Sequence, residues 1–290
     1  MATPTVTSQL DASLPLAIAS ARSVREQEGD MPALVERRTL KKGSGSDWHE
    51  VSYAKLTAMA VTETTENDNI QQVSDTDFKI TPTMIQIATM LTDKVGRNIT
   101  PNGMREIGKL GQAAMQRKKN IDGLTAISST GSTQLGAAGA AMTFGLVAAA
   151  VSNITGNTTE PGHQPIRFVA HPFCMKDIYD QFTTPVGTYD ISNGASFRVF
   201  KEGFRGMINT AQAYENGDFT IDADVDVQNG VFAKDGMVLV QEMSPRMETE
   251  RLPRTGGGAT IITHTDSYAY GIRQNQWVHE IIADATAPTS

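Results

Sequence analysis

The chain has 290 residues, of which 39% are hydrophobic and 20% charged, with one cysteine and a net charge of −7. This composition excludes a disordered chain and any intrachain disulfide, and its acidity removes the broad basic field that non-specific nucleic-acid binding requires. The length allows one large domain or two, burying roughly three quarters of the unfolded surface.

Residues 1–47 read as an arm. Leu10, Leu14, Ile18, Ala21 and Val24 recur at helical spacing, and Pro15 restricts such a helix to one that begins near it. The opening residues have neither a basic n-region nor an apolar h-region, so no signal peptide is expected. The run Lys41-Lys-Gly-Ser-Gly-Ser46 is a flexible break.

Residues 48–62 alternate weakly, through Val51 and Tyr53 and then Leu56, Ala58 and Ala60, with a change of face near Lys55 that fits a bulge. The tip, residues 63–69, is polar and acidic. A second extended run, residues 77–89, comes back from it, and Pro82 inside that run implies an edge strand or a bulge. A long hairpin whose tip has almost nothing apolar to bury makes little sense in a compact monomer. It makes sense if the hairpin lies on a neighbouring subunit.

Thr100 and Pro101 form a helix start. Met104, Ile107, Gly111, Ala114, Ile121 and Leu124 then keep one apolar side through Ile127, and Arg105, Lys109, Arg117, Lys118 and Lys119 lie mainly off it. Residues 61–90 carry Lys79 against Glu63, Glu66, Asp68, Asp75 and Asp77, a balance of −4; residues 91–127 carry seven bases and three acids, a balance of +4. These two charge sets could pair within a chain or between chains.

Residues 135–151 are 17 positions without a charge. Gly136, Gly139, Thr143 and Gly145 interrupt the apolarity and no aromatic anchors flank it, so a buried, closely packed Ala/Gly helix is expected rather than a membrane span. A short buried strand follows over 165–172 and a short helix over 173–182. Strands and turns fill 183–230, punctuated by Asn-Gly pairs. Lys234-Asp-Gly236 reads as a hairpin turn or a short helix, and three further extended runs cover 247–252, 259–270 and 277–283.

Candidate chemistry is sparse. His171 and Cys174 are spaced for a thiol–imidazole pair, but Phe168, Val169, Pro172 and Phe173 make the surroundings apolar, which favours a buried inert cysteine. Thr255-Gly-Gly-Gly258 lacks the Lys-Ser/Thr of a phosphate loop. Asp218, Asp222, Asp224 and Asp226 lack the glycine and glutamate of a calcium loop; Ile221, Val225 and Val227 alternate with the last three, which places the acids on the solvent side of a strand. No catalytic residue, cofactor or metal site is expected.

The order of segments resembles that of tailed-bacteriophage major capsid proteins with the Hong Kong 97 fold. Trp48–Thr89 resembles the extended loop and its base, and Thr100–Ile127, ending Lys119-Asn-Ile-Asp-Gly-Leu124, resembles the spine helix. The Gly/Ala run and Arg167-Phe-Val-Ala-His-Pro-Phe173 resemble the axial-domain helix and the strand after it. Val231–Gly236, Glu248–Arg251, Tyr268–Gly271 and Val278–Asp284 resemble the return to the peripheral domain. The resemblance implies an α+β fold with an N-terminal arm (1–47), an extended loop (48–90), a peripheral domain with the spine helix (91–130), an axial domain (131–240) and peripheral return strands (241–290). It implies a structural protein, not an enzyme, that self-assembles into hexamers and pentamers of an icosahedral shell enclosing double-stranded DNA, with no membrane partner. The arm leaves no room for an internal scaffolding region, so a separate scaffolding protein or a processed N-terminus is implied, with a portal and a possible decoration protein as further partners. The location implied is the virion, after assembly in the host cytoplasm. The contact implied sets Glu63, Glu66 and Asp68 of one subunit against Lys109, Arg117, Lys118 and Lys119 of the next. An encapsulin-like nanocompartment shell shares the fold; a cytosolic hydrolase using His171 and Cys174, and a phage tail-tube or other virion protein, are the remaining alternatives.

Overall fold

The structure, a computed structural model, describes residues 29–43, 45–63, 70–98, 101–183, 207–255 and 257–288. The helical stripe expected from Leu10 to Val24 lies outside the described residues. The described chain opens with a helical turn, α1 (Met31–Leu34), and an edge strand, β1 (Glu36–Thr39). A two-stranded hairpin follows, β2 (Trp48–Tyr53) with β3 (Asp75–Ile80), standing as a sheet of its own. The run expected over 77–89 divides at Pro82, and its second part is β4 (Thr83–Thr92) in a different sheet. Proline has no N–H for a ladder, so the chain changes sheets there.

A short helix, α2 (Asp93–Asn98), leads to α3 (Pro101–Ser128), whose 28 residues span about 42 Å at helical rise. The next elements are β5 (Leu135–Gly136), α4 (Phe144–Thr155), β6 (Ile166–Ala170) and α5 (Pro172–Thr183). After them come β7 (Met207–Ile208), β8 (Ala211–Glu215) and β9 (Asp226–Ala233). A 3-10 turn, Lys234–Gly236, separates β9 from the long strand β10 (Met237–Leu252). Strand β11 (Ala259–Ile272) returns antiparallel to it, and β12 (Val278–Asp284) ends the fold.

Two larger sheets result. One has the order β1-β10-β11-β4, the other β5-β12-β9-β6-β8-β7. The run 241–290, expected as one set of return strands, thus divides between them: β10 and β11 build the four-stranded sheet, while β12 pairs with β9 in the six-stranded one. In that sheet β6 and β9 are buried along nearly their whole length because both faces are covered. Gly230 faces α3, where an added Cβ would lie 2.5 Å from Ile127, and the next position back, Asn229, donates to Cys174 of α5 on the opposite face. Ile127, Phe168, Met175, Ile178, Phe232 and Ile281 are fully buried between these layers, each contributing about 1.5–3 kcal/mol.

Helix α3 runs along β11 in the same direction. Gly111 makes room for His264 and Gly123 for Tyr270, Lys119 pairs with Asp266, and Asp122 accepts from the Tyr268 hydroxyl at 2.9 Å. The buried side of the helix is therefore 111, 115, 119, 120, 123, 124 and 127. Leu91, Val95, Ile107 and Ile262 form a small apolar cluster nearer its start.

The expected Ala/Gly helix begins only at Phe144, capped by the Thr143 hydroxyl, which accepts from Leu146 N. Upstream, Gly136 and Gly139 have φ of +79° and +69°, values a right-handed helix does not contain, so 135–143 form a short strand and turns. Among the described residues no helix is long and apolar enough to cross a membrane. Of the aspartates of 218–226, only Asp226 belongs to a strand, as the first residue of β9. Asp222 accepts from the backbone of Asp224 and Asp226, closing a turn with Val225 at φ +68°, and Asp226 is buried, accepting from Gly139 N at 2.8 Å. The acids fold the loop rather than face solvent as an alternating row.

Candidate inter-subunit interface

The hairpin presents two different faces. Its register, from Trp48↔Ile80 to Tyr53↔Asp75, puts Trp48, Glu50, Phe78 and Ile80 on one side and His49, Val51, Tyr53, Asp75, Asp77 and Lys79 on the other. The first side packs on its own subunit. Trp48 and Phe78 meet edge to face at 6.3 Å and join Leu40, Ile80, Val238 and Val240 in a small core. Gly271 permits this approach, since a Cβ there would come within 2.5 Å of Ile80.

The second side is open. Val51 and Tyr53 are exposed, Tyr53 to 74%, and the apolar series continues through Leu56, Met59, Val61, Ile70 at 93% and Val73. The bulge expected near Lys55 is instead the end of the ladder. Beyond Tyr53 the two arms of the hairpin stay together through Ala54 N to Ser74 O and through the Gln71 side-chain amide, which bonds both the N–H and the carbonyl of Thr57. Lys55 reaches the carbonyl of Thr158 at 3.4 Å.

Helix α3 offers a partly basic surface. Lys109 and Lys118 are exposed and pair along the helix with Glu106 and Asp122 at 2.7 and 2.5 Å, and Arg117 is exposed beside them. Exposed pairs of this kind contribute about 0–1 kcal/mol, so a competing carboxylate can replace them. Lys119 does not belong to this surface. It is 5% exposed and bonds Asp266 at 2.6 Å under the Tyr268 ring, so the expectation that it meets a neighbouring acid is corrected. Glu63 is exposed, and Glu66 and Asp68 lie outside the described residues. Beside Lys109, a groove of about 650 Å³ opens between α3 and strands β10 and β11, with Met115, Met247 and Ile262 among its lining.

The remaining candidates describe packing. Cys174 is fully buried, donates to Asp284 O at 3.4 Å, and burial pushes its thiol up to about 11. His171 is buried edge-on against Phe173 at 4.6 Å, and burial lowers its pKa from the usual histidine value, so the pair is neutral rather than thiolate–imidazolium. Gly257 and Gly258, at φ +85° and +119°, turn the chain between β10 and β11. Among the described residues no group of three or more His, Cys, Asp or Glu side chains is arranged to hold a metal ion.

No protein-family model and no curated protein sequence matches the chain. Solved structures match it over nearly its whole length. It is similar to a chain in the capsid structure of the cyanophage P-SCSP1u, at 10% identity over 96% of this chain and 94% of that one, with a TM-score of 0.70. It is similar to a chain of the capsid of Ralstonia phage GP4, at 11% identity over 100% of both, with a TM-score of 0.68. It is similar also to a chain of the holo-SrpI encapsulin complex of Synechococcus elongatus, at 9% identity over 100% and 99%, with a TM-score of 0.64. These matches show an α+β protein with the fold of phage capsid chains, the Hong Kong 97 fold.

Proposed function

We propose that the chain is the major capsid protein of a tailed bacteriophage, building hexamers and pentamers of an icosahedral shell around double-stranded DNA. The observation that carries this reading is the hairpin. In a fold shared with capsid chains, it exposes Val51, Tyr53, Leu56, Val61, Ile70 and Val73, large apolar side chains that a second copy would cover. In this reading residues 1–47 are the arm, 48–90 the extended loop, 91–130 the spine segment and 131–240 the axial part, and of the return over 241–290 the strand β12 joins the axial sheet. A separate scaffolding protein and a portal are its partners. The shell forms in the host cytoplasm and becomes part of the virion. A net charge of −7 suits a wall that confines DNA rather than one that grips it.

Electron microscopy of the purified protein tests the reading: closed particles are expected, and a stable monomer or dimer at assembly concentrations would overturn it. The full-length likeness to an encapsulin chain favours one alternative, a nanocompartment shell. Particles recovered from the native source decide between them, since protected DNA indicates the capsid and a protein cargo the compartment.

At the contact, Glu63, with Glu66 and Asp68, faces Lys109, Arg117 and Lys118 of the next subunit. Each pair is weak, but repetition around a ring multiplies its effect on assembly. Glu63→Lys with Glu66→Lys is expected to impair assembly at low salt, and Lys109→Glu with Lys118→Glu to restore part of it. Wild-type assembly by the first double mutant would remove this contact from the mechanism.

A further inference from the structure

Arg273 lies just after β11, where its N–H donates to Gly236 O at 2.9 Å and its Nη1 to Asp235 O at 2.5 Å, so both ends of the residue are pinned to the turn between β9 and β10. From there the guanidinium reaches two carboxylates on separate segments. Nη1 bonds Glu36 of β1 at 2.8 Å; Nε and Nη2 bond Glu50 of β2 at 3.0 and 2.8 Å. The Arg273 side chain is 15% exposed, that of Glu36 19% and that of Glu50 35%, so water replaces these bonds poorly. The hairpin shares no ladder with either larger sheet, and β1 is an edge strand held by four paired residues.

We propose that Arg273 is a latch that sets the hairpin against the body and ties its position to that of the arm strand. The cation holds two like charges side by side. Removing it deletes both sets of bonds at once: Glu36 keeps only its pairing with Arg38, within its own strand, and Glu50 loses the cation that ties β2 to the turn. Removing one carboxylate frees only its own segment, since the other still holds the guanidinium. A neighbour that shifts the hairpin must therefore break the Glu50 contact or drag the arm strand with it. Arg273 is a positioning residue, and the latch is a property of the single chain, whether or not that chain builds a capsid.

Hydrogen exchange on free full-length subunits tests it, because a two-stranded ladder detached from its base is marginal in water and loses protection. Glu50→Gln is expected to speed exchange about tenfold across 48–53 and 75–80 while leaving 36–40 unchanged, and Glu36→Gln to do the reverse, the size following from loss of a charge-assisted bond. Arg273→Gln is expected to loosen both, and adding Glu50→Gln to it to loosen the hairpin no further, because the bond that Glu50 made is already gone. Protection of α3 over 106–127 serves as the control for folding. Unchanged hairpin exchange in Arg273→Gln, or equal loosening of both segments and of α3 by Glu50→Gln, would overturn the latch.

Discussion

At Lys119 a charged side chain occupies a position that packing reserves for the interior. It stands four residues from Met115 and four from Gly123, on the side of α3 that lies along β11, and its ammonium meets Asp266 with side chains only 6% and 2% exposed. Breaking such a pair leaves an uncompensated buried charge. Lys119→Met is therefore expected to cost about 3–5 kcal/mol in thermal unfolding, and Lys119→Met with Asp266→Asn to recover most of it. An equal loss in both variants would show that the pair is not the source of the effect. Asn120, one residue on, is as deeply buried and binds Met31 N, Asn216 and Asp218, joining α1, the spine and the loop after β8. Cys174 gives a pH dependence. Its folded pKa, about 11, lies above the unfolded value of 9.0, so between those values the unfolded chain holds fewer protons and stability falls as pH rises. Tyr268 and Tyr270 are raised by burial as well and act the same way at higher pH. Cys174→Ala is expected to flatten the part of the decline that begins near pH 9, and native Cys174 to alkylate slowly at neutral pH. An unaltered pH profile in Cys174→Ala would discount the thiol.

Elements differed in how plainly the sequence announced them. The hairpin, the spine helix and the late strands were legible because their apolar spacing and their prolines act locally. Lys119 was placed on the wrong side of α3 because the buried stripe contains Gly123, Asn120 and the lysine itself, none of which registers as apolar. The stretch 135–143 was misplaced for a different reason. Its composition suits a helix, but its course is set by a backbone bond to a distant strand, where β5 pairs with β12 and a Cβ at Gly136 would fall 2.2 Å from Ile282 O. Gly139 also has a positive φ, yet no atom lies within 4 Å of its Cβ direction, so overpacking is not the cost of enlarging it. Gly139→Ala is expected to destabilise by only the left-handed backbone cost of about 1–2 kcal/mol, and Gly136→Ala by that same cost plus the displacement of the Ile282 carbonyl, and so by clearly more. Denaturant midpoints of the two variants measure the difference; equal shifts would show that the Ile282 carbonyl does not matter. The opposite charge blocks were legible in the sequence, whereas the exposure of Val51 and Tyr53 emerged only once the ladder register separated inward from outward residues.

On the scale of the whole molecule, the path of the chain between its sheets has a mechanical consequence. It passes from the four-stranded sheet to the six-stranded one along α3, goes back across the turn Lys234–Gly236, and crosses again between β11 and β12. Two of these crossings are only a few residues long. The sheets are thus stitched rather than hinged: neither can swing away without tearing a strand from the other, and neither is an independent folding unit. Calorimetry of the free subunit is expected to give one transition, with equal calorimetric and van't Hoff enthalpies, and two separable peaks would contradict the stitching. A thrust received at the distal end of β10 and β11 has no joint in which to dissipate. It passes to the six-stranded sheet through three seams at once, so the body tilts as a plate.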